Sequence, residues 1–72
     1  MTKLPQTKGR DLGKILERNG FAVRKAKGSH VAYSHPDGRS TIVPIHSKPL
    51  GTGLLKAILK QAKLPESVLW SK

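Results

Sequence analysis

Apolar residues recur along the chain with two different periods, and the switch between them divides it into elements. From Thr7 the spacing is helical. Leu12, Ile15 and Leu16 fall at i, i+3 and i+4, while Arg10, Asp11, Lys14, Glu17 and Arg18 lie elsewhere on the wheel. Thr7 is placed to cap this helix, although Arg10 three residues on makes no capping box and opposes the helix dipole. Gly13 costs the helix about 1 kcal/mol relative to alanine. Asn19-Gly20 is a stop signal, because both residues tolerate the left-handed conformation of a helix end.

The period then shortens to 2. Phe21 and Val23 alternate with Ala22 and Arg24 in a strand expected to run to about Lys27, where Gly28-Ser29 interrupts it. A second strand covers His30 to His35, with Val31 and Tyr33 on one face and His30, Ala32 and Ser34 on the other. Pro36-Asp37-Gly38 is a turn: proline presets φ, aspartate bonds locally and glycine supplies a positive φ. A third strand passes through Thr41, Ile42, Val43 and Ile45, and Pro44 within it marks an edge or an end. These three make an antiparallel meander.

Beyond Ser47-Lys48-Pro49, Thr52 is placed to cap a second helix. Its apolar stripe is Leu54, Leu55, Ile58, Leu59 and Ala62, its exposed side carries Lys56, Lys60 and Lys63, and Pro65 stops it. Glu66 to Trp70 are apolar enough to dock as a short turn or helix. The expected fold class is α+β. Its order is α-β-β-β-α, with a three-stranded antiparallel sheet and both helices on one face, as in a double-stranded-RNA-binding domain. Residues 1–72 are expected to form one domain, with residues 1–6 as a loose basic leader.

At this length the core is thin, since a domain of about 60 residues buries only about 60% of the surface its unfolded chain exposes. With no cysteine the chain has neither disulfides nor thiolate zinc sites, which fits a reducing cytosol. No apolar run approaches the ~18 residues needed to cross a bilayer, and the first residues lack the apolar stretch of a signal peptide. The chain is therefore expected to be soluble, without a membrane partner. Charge alters the picture most. Fourteen Lys and Arg against four Asp and Glu leave a formal charge of +10. Such an excess on a small surface attracts polyanions, nucleic acid above all.

Acidic chemistry is nearly excluded. Asp11, Glu17, Asp37 and Glu66 are scattered over a helix, a turn and the tail, whereas a glycosidase or two-metal nuclease needs carboxylates converging on one site. Gly51-Thr52-Gly53 lacks the rest of a phosphate-binding loop. His30, His35 and His46 are spaced by 5 and 11 residues, which matches no helical metal motif, and no metal or other cofactor is expected. His35, beside a turn, reads as structural. His30 follows Lys27-Gly28-Ser29, where glycine lets a phosphate approach the backbone and Lys27 and Arg24 supply charge. Histidine exchanges protons near neutral pH, and RNA carries its own nucleophile in the 2′-OH. Proton transfer and charge stabilisation alone can therefore cleave it.

Four blocks in order resemble the HicA family of bacterial toxins, small ribonucleases of toxin–antitoxin modules. Leu16-Glu17-Arg18-Asn19-Gly20-Phe21 is like the family's Leu-x-x-x-Gly-Phe. Lys27-Gly28-Ser29-His30 is similar to its Gly-Ser-His signature, and Val43-Pro44-Ile45-His46 to its Val-Pro-x-His strand end. Leu50-Gly51-Thr52-Gly53-Leu54 through Ile58-Leu59-Lys60-Gln61-Ala62 resembles its second-helix stretch, with Lys63 where many members carry glycine. The resemblance implies a cytoplasmic, metal-independent endoribonuclease that cleaves mRNA, with His30 catalytic. It also implies a HicB-type antitoxin as protein partner, with DNA contacted only through that antitoxin. The expected RNA-binding residues are Arg24, Lys27, Gly28, Ser29, Lys56, Lys60 and Lys63. His46, Tyr33 or solvent would share the proton transfer. The alternative from another class is a non-enzymatic RNA-binding module using the same basic helix.

Overall fold

The computed structural model describes residues 4–70. They run as α1 (Gly9–Arg18), β1 (Ala22–Lys27), β2 (His30–Ser34), β3 (Ser40–Pro44), α2 (Thr52–Ala62) and a C-terminal 3₁₀ helix (Glu66–Trp70). The strands form one antiparallel sheet in the order β1-β2-β3, so the α+β meander read from the sequence is the fold.

Cross-strand register decides which side chains share a face. Tyr33 lies opposite Thr41 and Val31 opposite Val43, and this row faces the helices. Gly13 of α1 sits against the Tyr33 ring, while the Thr41 hydroxyl donates to Gln61 Oε1 of α2 at 2.7 Å. Both helices therefore cover the same side. The core between the layers joins Leu12, Ile15 and Leu16 to Leu55, Ile58, Leu59 and Ala62, closed by Phe21, Tyr33, Val43 and Leu69. The helical stripes supply it as their spacing requires.

Two glycines set how closely α1 approaches the sheet. A Cβ on Gly9 would overlap the Pro44 carbonyl oxygen, and one on Gly13 would overlap the Tyr33 hydroxyl. The helix cost of Gly13 is thus exchanged for a close helix–strand contact. Both helices end in the same six-residue backbone motif. Phe21 N–H reaches the Leu16 carbonyl (3.0 Å) behind Gly20 at φ +93°, and Leu64 N–H reaches the Leu59 carbonyl (2.9 Å) behind Lys63 at φ +55°.

Several local expectations are corrected. Thr7 does not cap α1. Lys8 occupies that position without a side-chain bond, and the buried Thr7 hydroxyl instead donates to the Pro5 carbonyl at 3.0 Å. The Thr7 carbonyl meanwhile accepts from Leu50 N–H at 2.8 Å, tying the approach to α1 to the approach to α2. Thr52 is the first residue of α2 rather than its cap, which is Gly51. Leu54 is not part of the core stripe, being 45% exposed. Phe21 precedes β1 instead of opening it, and Val23 is 50% exposed. Every residue of β1 is exposed because both helices pack chiefly against β3. β3 ends at Pro44 as the proline requires, short of Ile45. Of the expected leader, residues 1–3 lie outside the described residues, and Leu4 packs against the core.

The β2–β3 turn is held from several sides. Gly38 N–H bonds the His35 carbonyl and His35 N–H the Arg39 carbonyl, with Gly38 at φ +100°. Arg39 Nε donates to Asp37 Oδ2 at 2.8 Å, and its Nη1 donates to the Ala62 carbonyl at the end of α2 at 2.6 Å. The guanidinium also lies 5.1 Å from the centre of the Phe21 ring. A cation at the C-terminus of α2 is favoured by the helix dipole as well.

Candidate active site on the open sheet face

The candidate residues around His30 lie on the sheet face away from the helices. His30 opens β2 directly after the Gly28-Ser29 turn, in which only Gly28 has positive φ (+57°). That is the pattern of a primed two-residue hairpin with glycine at its first central position. A Cβ on Gly28 would meet nothing within 4 Å, so glycine is needed there for conformation and leaves bare backbone at the turn. Ile45 N–H donates to the Ser29 carbonyl and ties this turn to the end of β3.

Register lays out the open face in cross-strand rows. One runs Lys27–His30–Pro44, and the next runs Lys25–Ala32–Ile42. Side chains directly opposite on an antiparallel pair have Cβ atoms about 5 Å apart, so Lys27 is the immediate neighbour of His30. Between Val23 and Lys25 the register slips: Val23 faces Tyr33, Lys25 faces Ala32, and Arg24 is the extra residue of a β-bulge.

One depression lies on this face and a second on the helix-covered side beside α2. The first, about 300 Å³, is lined by Lys25, Lys27, His30, Ala32 and Ile42. The second, about 570 Å³, borders Ala32 and Ile42 as well but runs on the helix side, between the Tyr33–Thr41 row and Leu54, Ile58 and Gln61 of α2, and takes in Arg24. None of the residues lining either is acidic. The floor is apolar, with Ile42 57% exposed, and β1 forms its cationic margin. A solvent-facing imidazole beside cations can exchange protons with an anion held against it.

Of the expected site residues, Lys27, Gly28, Ser29 and His30 are brought together at the β1–β2 hairpin, whereas Arg24, at the bulge, lines the groove beside α2. Lys56, Lys60 and Lys63 are exposed on α2 but line neither depression, since Leu54, Ala57 and Gln61 form the flank that does. Tyr33 is turned away from His30 and buried beneath α1, where desolvation, then the Glu17 carboxylate, pushes its hydroxyl pKa up. His46 is exposed two residues beyond Pro44, the residue paired with His30. His35 is structural. Its ring meets Phe21 edge-on at 5.1 Å, and Nδ1 lies 3.1 Å from the Asp37 N–H, which it accepts when neutral. Asp37 Oδ1 is 2.9 Å from the same nitrogen and would take the bond if the ring were protonated. No three His, Asp or Glu among the described residues converge in a metal-holding group.

Sequence reasoning passed over Lys25, Ala32 and Ile42 around His30. Ala32 was legible from its place on the His30 face; Lys25 was not, because the bulge reverses its side.

A small, strongly basic α+β protein with a histidine on an open, cation-edged sheet face is the class these features define. A family model described as HicA toxin of bacterial toxin-antitoxin matches residues 9–64, well over half of the chain. The chain belongs to the HicA toxin family. Comparison with curated proteins finds no match.

Proposed function

We propose that the chain is the toxin of a type II toxin–antitoxin system and acts as an endoribonuclease on mRNA, with His30 as its catalytic residue. The observation that carries this reading is the exposed imidazole of His30 directly opposite Lys27, in a depression without a carboxylate. His30 takes the proton of the 2′-OH as that oxygen attacks phosphorus, or gives a proton to the 5′-oxygen as its bond to phosphorus breaks. Either role yields a 2′,3′-cyclic phosphate and a free 5′-OH without an external nucleophile. Lys27 offsets the phosphate charge, Arg24 adds to the basic surface of β1 that binds RNA, and the bare backbone at Gly28-Ser29 admits the phosphate to the turn. The buried position of Tyr33 leaves His46 or solvent to handle the second proton.

Lys56, Lys60 and Lys63 serve as a separate basic surface for more distant phosphates. The element order shared with double-stranded-RNA-binding domains supports RNA as the polyanion. A HicB-type antitoxin would inhibit by covering the His30 face, and DNA would be contacted only by that antitoxin. No described helix is long and apolar enough to cross a membrane, and the proposed place of action is the bacterial cytoplasm.

The test is incubation of RNA with purified protein in EDTA, comparing wild type with His30→Ala. Wild type should cleave and the variant should retain binding while losing cleavage and growth inhibition. Undiminished cleavage by the variant would remove His30 from the mechanism, and RNA bound but left intact by wild type would favour a non-enzymatic RNA-binding module.

A further inference from the structure

One polar side chain of α2 is held in a groove whose other walls are largely apolar. Leu54, Ala57 and Gln61 recur at i, i+3 and i+7 along the helix. Helical geometry sets this face between the buried stripe of Leu55, Leu59 and Ala62 and the side bearing Lys56, Lys60 and Lys63. With the Tyr33–Thr41 row of the sheet it encloses the groove of about 570 Å³. Tyr33, Thr41 and Ile58 are buried and form the floor, while Leu54 and Ala57 stand exposed above it. The groove adjoins the depression at His30, because Ala32 and Ile42 border both.

Gln61 is exposed, and the Thr41 hydroxyl, only 4% exposed, donates to its Oε1 at 2.7 Å. That bond commits the amide oxygen to the sheet and leaves the amide N–H groups as donors for a ligand. Apolar walls supply affinity in such a pocket, and one oriented polar group fixes what it accepts. An apolar protein side chain seated there would leave the Gln61 donors without an acceptor, which is costly once water is excluded. A nucleobase avoids that cost, since its faces are apolar and its edge carries acceptors. An RNA strand whose phosphates meet the lysine side of α2 brings its bases to the adjoining face.

We propose that the groove between α2 and the Tyr33–Thr41 row is a nucleobase subsite, in which Gln61 donates to a carbonyl oxygen of uracil or guanine. This rests on the reading of RNA as the ligand and gives the protein a base preference beside the cut. Where uracil and guanine present O4 and O6, cytosine and adenine present amino groups, whose N–H would oppose those of Gln61. Leu54 and Ala57 cover the base, and Thr41 is a positioning residue that acts through Gln61.

Binding of 2′-O-methyl oligouridine and oligoadenosine, which supply no nucleophile, tests this. The readout is the ratio of the two affinities, so that differences between the free strands cancel when proteins are compared. One neutral hydrogen bond is worth about fivefold, and Gln61→Met should shift the ratio by about that factor against uridine. Ala57→Leu fills the groove from an exposed helical position and should produce the same shift. Thr41→Val should shift the ratio in the same direction, and Thr41→Ser should keep it. The slope of log K against log salt should remain that of wild type in the Gln61 and Ala57 variants, because no phosphate contact is removed. A ratio unchanged in both Gln61→Met and Ala57→Leu would overturn the subsite and leave the groove to a protein partner. Equal losses for both oligonucleotides with a reduced salt slope would make the groove part of a phosphate track and would overturn it as well.

Mapping the cuts in a mixed-sequence RNA gives a second readout. Wild-type cuts should fall at a fixed distance from uridine or guanosine, and Gln61→Met should lose that bias; wild-type cuts without bias would overturn the proposal. If wild type cleaves nothing, the nuclease reading fails, while the affinity ratios still decide whether the groove reads a base.

Discussion

Replacing Gly13 by alanine sets two well-defined effects against each other. Alanine is the better helix former by about 1 kcal/mol in a helix interior. On that ground alone the substitution in α1 would stabilise the protein. The structure opposes it, because the added Cβ would overlap the Tyr33 hydroxyl oxygen and stand 3.0 Å from Cζ of the same ring. Tyr33 is 6% exposed, and its rigid ring cannot move the hydroxyl without moving as a whole against α1 and its core neighbours. Overpacking of a filled core costs about 1–3 kcal/mol, and a rigid buried ring belongs at the upper end of that range.

The net expectation is a loss of about 1–2 kcal/mol. In a domain of this size each kcal/mol shifts Tm by roughly 4–8 °C. Urea unfolding followed by far-UV circular dichroism gives the free energy, and a thermal melt gives the shift. A second substitution isolates the cause. Tyr33→Phe removes the overlapping oxygen but leaves the 3.0 Å approach to Cζ, so Gly13→Ala should cost less in the phenylalanine background. A Gly13→Ala protein as stable as wild type, or strict additivity of the two changes, would refute the reasoning.

Gly9→Ala should cost more than Gly13→Ala in the same urea assay, because the obstructing atom is the Pro44 backbone carbonyl rather than a side chain. Lys63→Gly should stabilise by about 1 kcal/mol, since Lys63 holds φ +55° at the end of α2, and Lys63→Ala should bring no such gain. Arg39→Met should destabilise by about 2 kcal/mol, because it removes the charged bond to the Ala62 carbonyl and the cation beside Phe21. The Arg39 backbone N–H, then the Arg39 guanidinium and the His35 ring, hold the Asp37 carboxyl below its usual range against a smaller desolvation effect. Its contribution is therefore complete above the ordinary pKa of about 3.9 and is lost as pH falls through the lower folded value; Asp37→Asn should flatten that acid limb of stability.

The helices and turns were legible because their signals are local. Leu12, Ile15 and Leu16 bury as their spacing demands, Gly20 supplies the left-handed residue after α1, and Pro36-Asp37-Gly38 builds the turn its chemistry specifies. What misled was information held by other parts of the chain. Thr7 has the chemistry of a cap, but its carbonyl is taken by Leu50, and its hydroxyl turns back to Pro5. Val23 alternates correctly for a core strand, yet the helices lie over β3 and leave nothing to bury it. Arg39 gave no sign of its role, since its partner carbonyl on Ala62 is distant in sequence.

The same displacement of the helices makes the site and explains its partial legibility. The Gly28-Ser29 turn and neighbouring cations gave His30 a favourable setting, and the resemblance to the HicA family chose it among the three histidines. No such signal marked Lys25. Unbroken alternation in β1 puts Lys25 and Lys27 on the side of Val23, beneath the helices and away from His30. One extra residue at Arg24 reverses that assignment, so that Lys27 lies across from His30 and Lys25 across from Ala32. With the helices displaced toward β3 every residue of β1 is exposed, so Arg24, Lys25 and Lys27 stay hydrated whichever face each takes, and none needs a carboxylate to pair it. Leaving β1 uncovered gives up core burial that a small domain can ill spare. The exposed strand is thus where stability yields to the concentration of charge beside His30.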